Sequence, residues 1–436
     1  MKGSCCEDIG EIMILTKEQE AVLKGQEGEV KAKVMETVIR YGEIFGADSL
    51  VEITSDQHHF VTSFGLKALT PIYELFDTLI EAGAVPDKKF TADPRPLDDA
   101  VPSSFLQDFV FKKFMYSKQE EYEAQLKKLG LLNEDAFTCT CYMDEVGNIP
   151  KEGDILSWSE SSAVVYANSV LGARCNRNSG VMDLMGAIVG YVPNFGLLTD
   201  EGRKASWEIQ VKTSKKPEAQ LLGSAIGMKV MEDVPYITGL DAWLGNELND
   251  DVKAYLKDFG AATASNGAVG LFHVENLTPE AKRLGRYLLR DEVKTYVIDD
   301  AELERVYRNY PVVWKNKEAT PKLCFIGCPH LSLAQLKDWS RKVDERLKAK
   351  GKKKLVIPTV FTAAPQVAKA FRQSPEAKML EERGGIVSSI CPLMYMNNPL
   401  CGKVPVITPS NKLRTYTTAR YDTDELILEQ ITGGKI

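Results

Sequence analysis

The stretch from Cys139 to Arg177, CTCYMDEVGNIPKEGDILSWSESSAVVYANSVLGARCNR, brings thiols, hydroxyls, an amide and guanidiniums into one short segment. It opens with Cys139 and Cys141 one residue apart and turns through Gly147, Pro150 and Gly153. A helix is predicted next, with Ser157 capping the free backbone N–H groups and Glu160 three residues later completing a capping box. Ala163, Val164, Ala167, Val170 and Leu171 recur at spacings of three and four and form its buried face. Ser159, Glu160, Ser161 and Ser162 crowd the first turn, where free N–H groups and the helix dipole favour an anion. Asn168 and Ser169 follow, then Arg174 and Arg177. The pattern suits a functional site, and it equally suits a well-capped core helix with a solvated end.

Around this stretch lies a chain of 436 residues, long enough for two or three domains with large cores. Hydrophobic residues make up 44% and charged residues 26%, as in an ordinary soluble protein. A net charge of -7 argues against a nucleic-acid partner, which calls for a basic face. The basic run Lys348, Lys350, Lys352, Lys353, Lys354 follows a helical pattern that stops at Gly351, and reads as a solvated helix end. No apolar run approaches the ~20 residues that span a bilayer, so no membrane association is expected. The opening MKGSCCEDIGEI carries acids where a secretory signal has its apolar core, which predicts a cytoplasmic protein. Nine cysteines, sparse and odd in number, are no disulfide framework, and most are expected in the core.

Residues 1–13 are expected to form an N-terminal extension holding Cys5 and Cys6, with Met13 as an alternative start. Thr16 with Gln19 predicts a capping box and a short helix. A longer helix is expected from about Glu29 to Phe45, stopped by Gly46. Leu50 to Thr54 reads as a strand delivering Ser55-Asp56-Gln57-His58-His59 into a loop, where α/β proteins place ligand contacts. Thr70-Pro71 starts a helix that Gly83 stops. Phe90-Thr91-Ala92 is a strand end running into the loop Asp93-Pro94-Arg95-Pro96. Ser117 with Glu120 is expected to cap a helix ending at Gly130.

Beyond the organising stretch, the glycines from Gly186 to Gly196 read as close packing, because neither nucleotide-binding fingerprint is present. Ala264 to Glu275 reads as a turn into a buried strand, with His273 a satisfied core residue. Thr278-Pro279-Glu280 starts a helix, and residues 295–310 give a further strand and helix. A boundary near 311–320 would divide an N-terminal region, 14–310, from a C-terminal one, 311–436. In the latter, Leu323 to Ile326 is a strand with Gly327-Cys328-Pro329-His330 as its exit loop. Ser332 with Gln335 caps the next helix. Leu355 to Phe361, Ile386 to Ile390 and Val404 to Ile407 follow as strands, the last two delivering Cys391-Pro392 and Thr408-Pro409-Ser410-Asn411-Lys412. Strands alternating with helices predict a parallel α/β sheet with these loops gathered at its carboxyl edge.

Cys139, Cys328 and Cys391 sit in turns beside proline or glycine, whereas Cys324 lies within an apolar strand and reads as core. Zinc usually draws Cys-x-x-Cys pairs, and Cys139-Thr140-Cys141 is too tight for that. Three thiolates from separate loops suit an iron–sulfur cluster with one iron left open, a Lewis acid able to take up a substrate hydroxyl.

Several motifs together resemble the large, catalytic subunit of the aconitase X family. They are Thr138-Cys139-Thr140, Ser159-Glu160-Ser161-Ser162-Ala163, Tyr166 through Arg174, Gly327-Cys328-Pro329-His330 and the segment Cys391 to Lys412. The resemblance runs from Met13 to about Tyr421. It implies an α/β, aconitase-like multi-domain fold with parallel sheets and a cluster at strand C-terminal ends. It implies an iron–sulfur hydro-lyase, a dehydratase, with a 4Fe–4S rather than a 2Fe–2S cluster on Cys139, Cys328 and Cys391. Substrate contacts are expected from Phe60, Val61, Thr62, Asp93, Pro94, Asn168, Ser169 and Lys412. Lys412 and Ser169 are the expected catalytic residues. Lys412 and Arg174 would neutralise a carboxylate or phosphate, and Arg177 is given the blander part of a surface salt bridge.

Family members dehydrate mevalonate 5-phosphate in archaea or cis-3-hydroxyproline in bacteria. They need a small swivelling-domain subunit that supplies a catalytic serine, so a heterodimer or heterotetramer is expected. Because the chain stops at Ile436, that domain is expected on a separate protein, meeting this one over the Cys328 and Cys391 loops. Ile53-Thr54-Ser55-x-Gln57 resembles the archaeal pattern. Two features depart from it: His58-His59-Phe60 replaces a run of small residues, and Asp93 replaces an asparagine. A charged Asp93 would repel a phosphate and favour an ammonium group, unless a protonated His58 or His59 offsets it. Mevalonate 5-phosphate ranks first on motif similarity, with cis-3-hydroxy-L-proline or another hydroxy acid as alternatives. Two other classes stay open: a redox cluster protein with a fourth ligand from Cys141, Cys175 or Cys401, and a structural-zinc scaffold.

Overall fold

The computed structural model describes residues 13–434, and Cys5 and Cys6 lie outside that span. Its strands are β1 Leu50–Glu52, β2 His58–Phe60, β3 Phe90–Ala92, β4 Tyr191–Pro193, β5 Ala205–Val211, β6 Pro235–Thr238, β7 His273–Val274, β8 Leu289–Ile298, β9 Leu323–Leu331, β10 Thr359–Ala363, β11 Gly385–Ser388, β12 Val406–Thr408 and β13 Arg420–Tyr421. They form a β1–β4 ribbon, a β2–β3 pair, a four-stranded sheet β7-β6-β5-β8 and a five-stranded sheet β11-β10-β9-β12-β13. All pairings except the antiparallel β1–β4 ribbon are parallel. The expected α/β class with parallel sheets is observed. Among the described residues no helix is long and apolar enough to cross a membrane.

The five-stranded sheet is built on β9, which is buried along its whole length, as a central parallel strand covered on both faces must be. The predicted exit loop after Ile326 is corrected here: Gly327 to His330 continue β9 as a bulge, and the register against β10 shifts between Phe361 and Ala363. Glycine is required at the bulge. Gly327 has φ +112°, and a Cβ there would lie 2.4 Å from the Thr362 carbonyl oxygen.

Beside the four-stranded sheet, the helices Ala219–Val230 and Asp250–Asn266 pack backbone to backbone. A Cβ at Gly223 would meet the Phe259 carbonyl oxygen at 2.3 Å. His273 is, as expected, a satisfied core residue whose Nε2 pairs with the Arg203 carbonyl at 2.9 Å.

The expected loop at His58-His59 is also corrected. These residues form β2, buried with Phe60, because they pair in register with Phe90, Thr91 and Ala92. Parallel bridges extend the pair on both sides, His59 to Trp158 and Ala92 to Phe137. Met13 is buried in this N-terminal core.

Two predicted capping boxes form and two do not. Thr16 with Gln19 and Ser332 with Gln335 make capping boxes. Ser117 caps nothing; Lys118 stands at the N-cap of the helix Gln119–Leu129, and the Ser117 hydroxyl donates to the Phe114 carbonyl. The helix expected from Ser157 begins at Ser161, with Glu160 as its N-cap. Ser157 instead donates its hydroxyl to the Asp183 carbonyl at 2.7 Å. The helix Ser161–Tyr166 continues as a π turn, Ala167–Leu171, that ends at Gly172 with φ +74°.

Candidate active site

Four segments leave the same carboxyl edge of the small sheet around β2 and β3. Val61 follows β2, Asp93 follows β3, Cys139 follows the Phe137 bridge and Glu160 follows the Trp158 bridge. From the five-stranded sheet, Cys328 lies on the β9 bulge, Cys391 follows β11 and Lys412 follows β12. The two edges face each other: Cys139 feels Glu160, Lys412 and Cys328, and Cys391 feels Cys328, Asp93 and Lys412. Parallel sheets place ligand contacts at this edge because every strand there opens into a loop.

The centre of the cluster is an ion pair between Lys412 and Glu160, both buried. The second carboxylate oxygen of Glu160 accepts from the Ser162 hydroxyl and the Ala163 amide, each at 2.6 Å. Lys412 also donates to Ser162 at 3.2 Å. Burial alone would raise the Glu160 carboxyl, but Lys412 and these hydrogen bonds bring it down to about 2. Burial disfavours the Lys412 ammonium, yet Glu160, Cys328 and Cys139 hold it protonated well above the usual lysine range.

Each thiol loop is fastened. Cys139 Sγ accepts from the His330 amide at 3.4 Å, and the His330 ring spans Thr138 Oγ1 and the Ile390 carbonyl at 3.0 Å each. With both nitrogens engaged and burial driving its pKa down to about 4, His330 is not placed to act as a base. The Cys328 carbonyl accepts from Ser410 and from Gln220 at 3.3 Å. The Cys391 amide donates to the Arg95 carbonyl at 2.8 Å. Burial pushes all three thiols up, and Lys412 favours the thiolate of each, the form that binds metal.

Among the described residues, no three His, Cys, Asp or Glu side chains close in on a single metal ion. Three soft donors on separate, fastened segments beside an ammonium are of the kind that could hold an iron–sulfur cluster. Cys324 is core, as expected. Of the fourth-ligand candidates, Cys141 and Cys175 lie in the apolar core, and Cys401 accepts from Gln107 at 3.3 Å.

Asp93 reaches the cluster in an unexpected state. Burial and the Glu160 charge push its carboxyl well above the carboxylate range, which favours the neutral acid. Its Oδ1 is buried without a hydrogen-bond partner and lies 3.8 Å from the equally unpartnered Nε2 of His59. His58 and His59 are driven down to about 4 by burial, so neither is a cation at neutral pH. Burial thus works against a charge on Asp93 as it does on both histidines.

Several other expected contacts serve the fold. Phe60 packs on Phe90 in the core, while Val61 donates its amide to Ser159 Oγ at 2.7 Å. Thr62 pairs with the Tyr122 hydroxyl at 2.7 Å, and Pro94 is buried beside Asp93. Asn168 is saturated: its amide donates to the Cys175 and Gly270 carbonyls at 2.8 Å, and its oxygen accepts from Cys175 and Arg203. Ser169 Oγ accepts the Phe272 amide at 2.9 Å. Arg174 turns away to the Leu198 carbonyl and the exposed Asp200. Arg177, given the surface role above, is instead half-buried, with a buried Nη1 that has no hydrogen-bond partner.

A cavity of about 1340 Å³ opens beside Cys328 and Ser410. Asp93, Cys139, Glu160, Cys391 and Lys412 do not line it.

Residues 12–201 match the family described as aconitase X first domain, and residues 205–308 match aconitase X second domain. The chain is 35% identical over 395 residues to the phosphomevalonate dehydratase large subunit of Thermococcus kodakarensis, covering 89% of this chain and 91% of that one. It is 32% identical over 413 residues to the protein of the same name from Methanocaldococcus jannaschii, covering 93% and 95%. The crystal structure of Thermococcus kodakaraensis aconitase X in its holo-form superimposes with a TM-score of 0.78 at 30% identity, over 97% of this chain and 100% of that chain.

Proposed function

The chain belongs to the aconitase X family and is a hydro-lyase acting on a small hydroxy acid, and on that premise we propose that it is the large subunit of an iron–sulfur dehydratase of mevalonate 5-phosphate. The observation that carries this reading is the meeting of Cys139, Cys328 and Cys391 around the Lys412–Glu160 pair. Those three thiols would hold the cluster. When bound, it supplies an open iron, a Lewis acid for the departing hydroxyl.

The protein's own groups do the rest. Lys412, kept charged by Glu160, offsets the thiolates and the substrate carboxylate. Asp93, as a neutral acid, offers an O–H donor where a carboxylate would repel. That neutrality removes the charge objection to a phosphate ester. The relatives are named large subunits, which supports a small partner subunit covering the open side of the site. Closing that side excludes water and strengthens every charge interaction within.

The test is to reconstitute the chain with iron and sulfide without air, add the small subunit, and offer mevalonate 5-phosphate and cis-3-hydroxy-L-proline separately. The reading expects turnover of the phosphate ester only in the presence of both subunits. Turnover of hydroxyproline alone, or full activity without the partner, rejects it.

A further inference from the structure

We propose that His59, through its Nε2–H, holds Oδ1 of Asp93 and so aims Oδ2 at the substrate, a positioning role that rests on the reading above. The small sheet brings the two side chains together. His59 stands in register with Thr91, and Asp93 lies two residues beyond Thr91, so all three project from one face. The strand exit that carries Asp93 is fastened on three sides. The Asp93 amide donates to the Phe60 carbonyl at 3.3 Å, the Thr138 amide to the Ala92 carbonyl at 2.7 Å, and the Cys391 amide to the Arg95 carbonyl at 2.8 Å. Asp93 therefore leaves β3 beside the segments that carry Cys139 and Cys391. On the other side of β2, the His59 carbonyl accepts from the Ser159 amide at 3.1 Å, one residue from Glu160.

A chain of buried hydrogen bonds sets the direction of the contact. Asn148 donates its amide to the His58 carbonyl at 2.9 Å and to Thr91 Oγ1 at 3.0 Å. The Thr91 hydroxyl has one hydrogen to give. His59 Nδ1 lies 2.9 Å from it, while the His58 carbonyl, already served by Asn148, lies at 3.4 Å. The nearer acceptor takes the hydrogen. Burial keeps the imidazole neutral at ordinary pH, so with Nδ1 accepting, the ring hydrogen belongs to Nε2. Trp158 packs edge-on against the ring, centroids 5.8 Å apart, and holds its plane. Nε2 is buried without a hydrogen-bond partner and faces Asp93 Oδ1, equally buried and unpartnered, at 3.8 Å. Two such open atoms are costly, and a small turn of the carboxyl joins them, as catalytic hydrogen bonds tighten when substrate binds. The Asp93 side chain keeps 11% of its surface exposed while Oδ1 is sealed, so Oδ2 is the oxygen left for a ligand. A carboxylic acid that accepts at Oδ1 carries its own hydrogen on Oδ2, the donor that the reading above asks of Asp93.

The first test is nitrogen NMR of the full chain labelled at its four histidines, with His59→Gln assigning the His59 signals. The Nε2–H tautomer is expected, and its Nε2 signal should move in Asp93→Ala. An Nδ1–H tautomer, or an Nε2 signal that Asp93→Ala leaves in place, overturns the inference. The second test uses the iron-loaded complex of both subunits, with whichever of mevalonate 5-phosphate and cis-3-hydroxy-L-proline the wild type dehydrates. His59→Asn, whose amide reaches only the place of Nδ1, should lower kcat/KM roughly 10-fold, the worth of one hydrogen bond. His59→Gln, whose amide nitrogen takes the place of Nε2, should keep most of the activity. In an Asp93→Ala background, His59→Asn should cost nothing more. A penalty as large there as in wild type, the mark of a merely structural role, overturns the inference and leaves the dehydratase reading intact. So does a His59→Gln as slow as His59→Asn. If wild type uses neither compound, that reading falls and the NMR result decides His59 alone. It decides likewise if His59→Asn does not fold.

Discussion

The ammonium of Lys412 meets the carboxylate of Glu160 across the gap between two parallel sheets, with side-chain exposures of only 11% and 5%. Neither charge has water to fall back on, so each stabilises the other in a place where neither would persist alone. Burial raises the Cys139 and Cys328 thiols beside it, which Lys412 counters and Glu160 reinforces.

Glu160→Gln should therefore destabilise the chain by ~3–5 kcal/mol, the usual cost of orphaning a buried charge, and abolish dehydration. Lys412→Met should do the same, while the double variant should recover part of the stability and none of the activity. Denaturant melts of the three variants check this.

The pair also gives the chain an acid limit. The folded state holds Glu160 at about 2 against an ordinary 4.5. The unfolded chain takes up the proton first, so the stabilisation is complete above about 4.5 and is lost as pH falls towards 2. A pH series of melts on wild type should show this loss, and Glu160→Gln should flatten it.

Asp93 behaves oppositely. Its folded carboxyl sits above its unfolded one, so the folded chain binds the proton more tightly and loses stability as pH rises from about the ordinary 3.8. Asp93→Asn should melt above wild type at pH 8 and level with it near pH 4, in metal-free protein. The same variant should keep turnover of the phosphate ester, because asparagine reproduces the neutral acid.

Much of this fold was legible along the chain. Leu323 to Ile326 and Val406 to Thr408 are apolar runs bounded by proline and glycine, and they are central parallel strands because nothing else buries them on both faces. Thr16 with Gln19 and Ser332 with Gln335 are local capping signals whose partners lie within one turn. The polar residues of the organising stretch were not legible in the same way. Asn168 and Ser169 look like site residues in any helix, but their partners are Arg203, Gly270 and Phe272, distant in sequence. Ser157 was lost to Asp183 for the same reason, and Arg174 pairs with Asp200 while Arg177 Nη1 has no hydrogen-bond partner, because only the folded chain decides which one meets an acid. His58 and His59 resemble loop residues until β3 pairs with them.

Asn168→Ala should thus act on stability before kinetics. It removes four hydrogen bonds, leaving buried groups of Cys175 and Arg203 unpaired, and should cost ~3 kcal/mol with little change in KM of the folded fraction. Thermal melting beside steady-state rates separates the two roles.

The most direct test of the account counts iron and sulfide, with the visible spectrum, in anaerobically purified Cys139→Ser, Cys328→Ser, Cys391→Ser and Cys324→Ser. Loss of the cluster in the first three and its retention in the fourth is the predicted result. A Cys324→Ser protein that bleaches beside a Cys391→Ser protein that does not would contradict a cluster held between the two sheet edges.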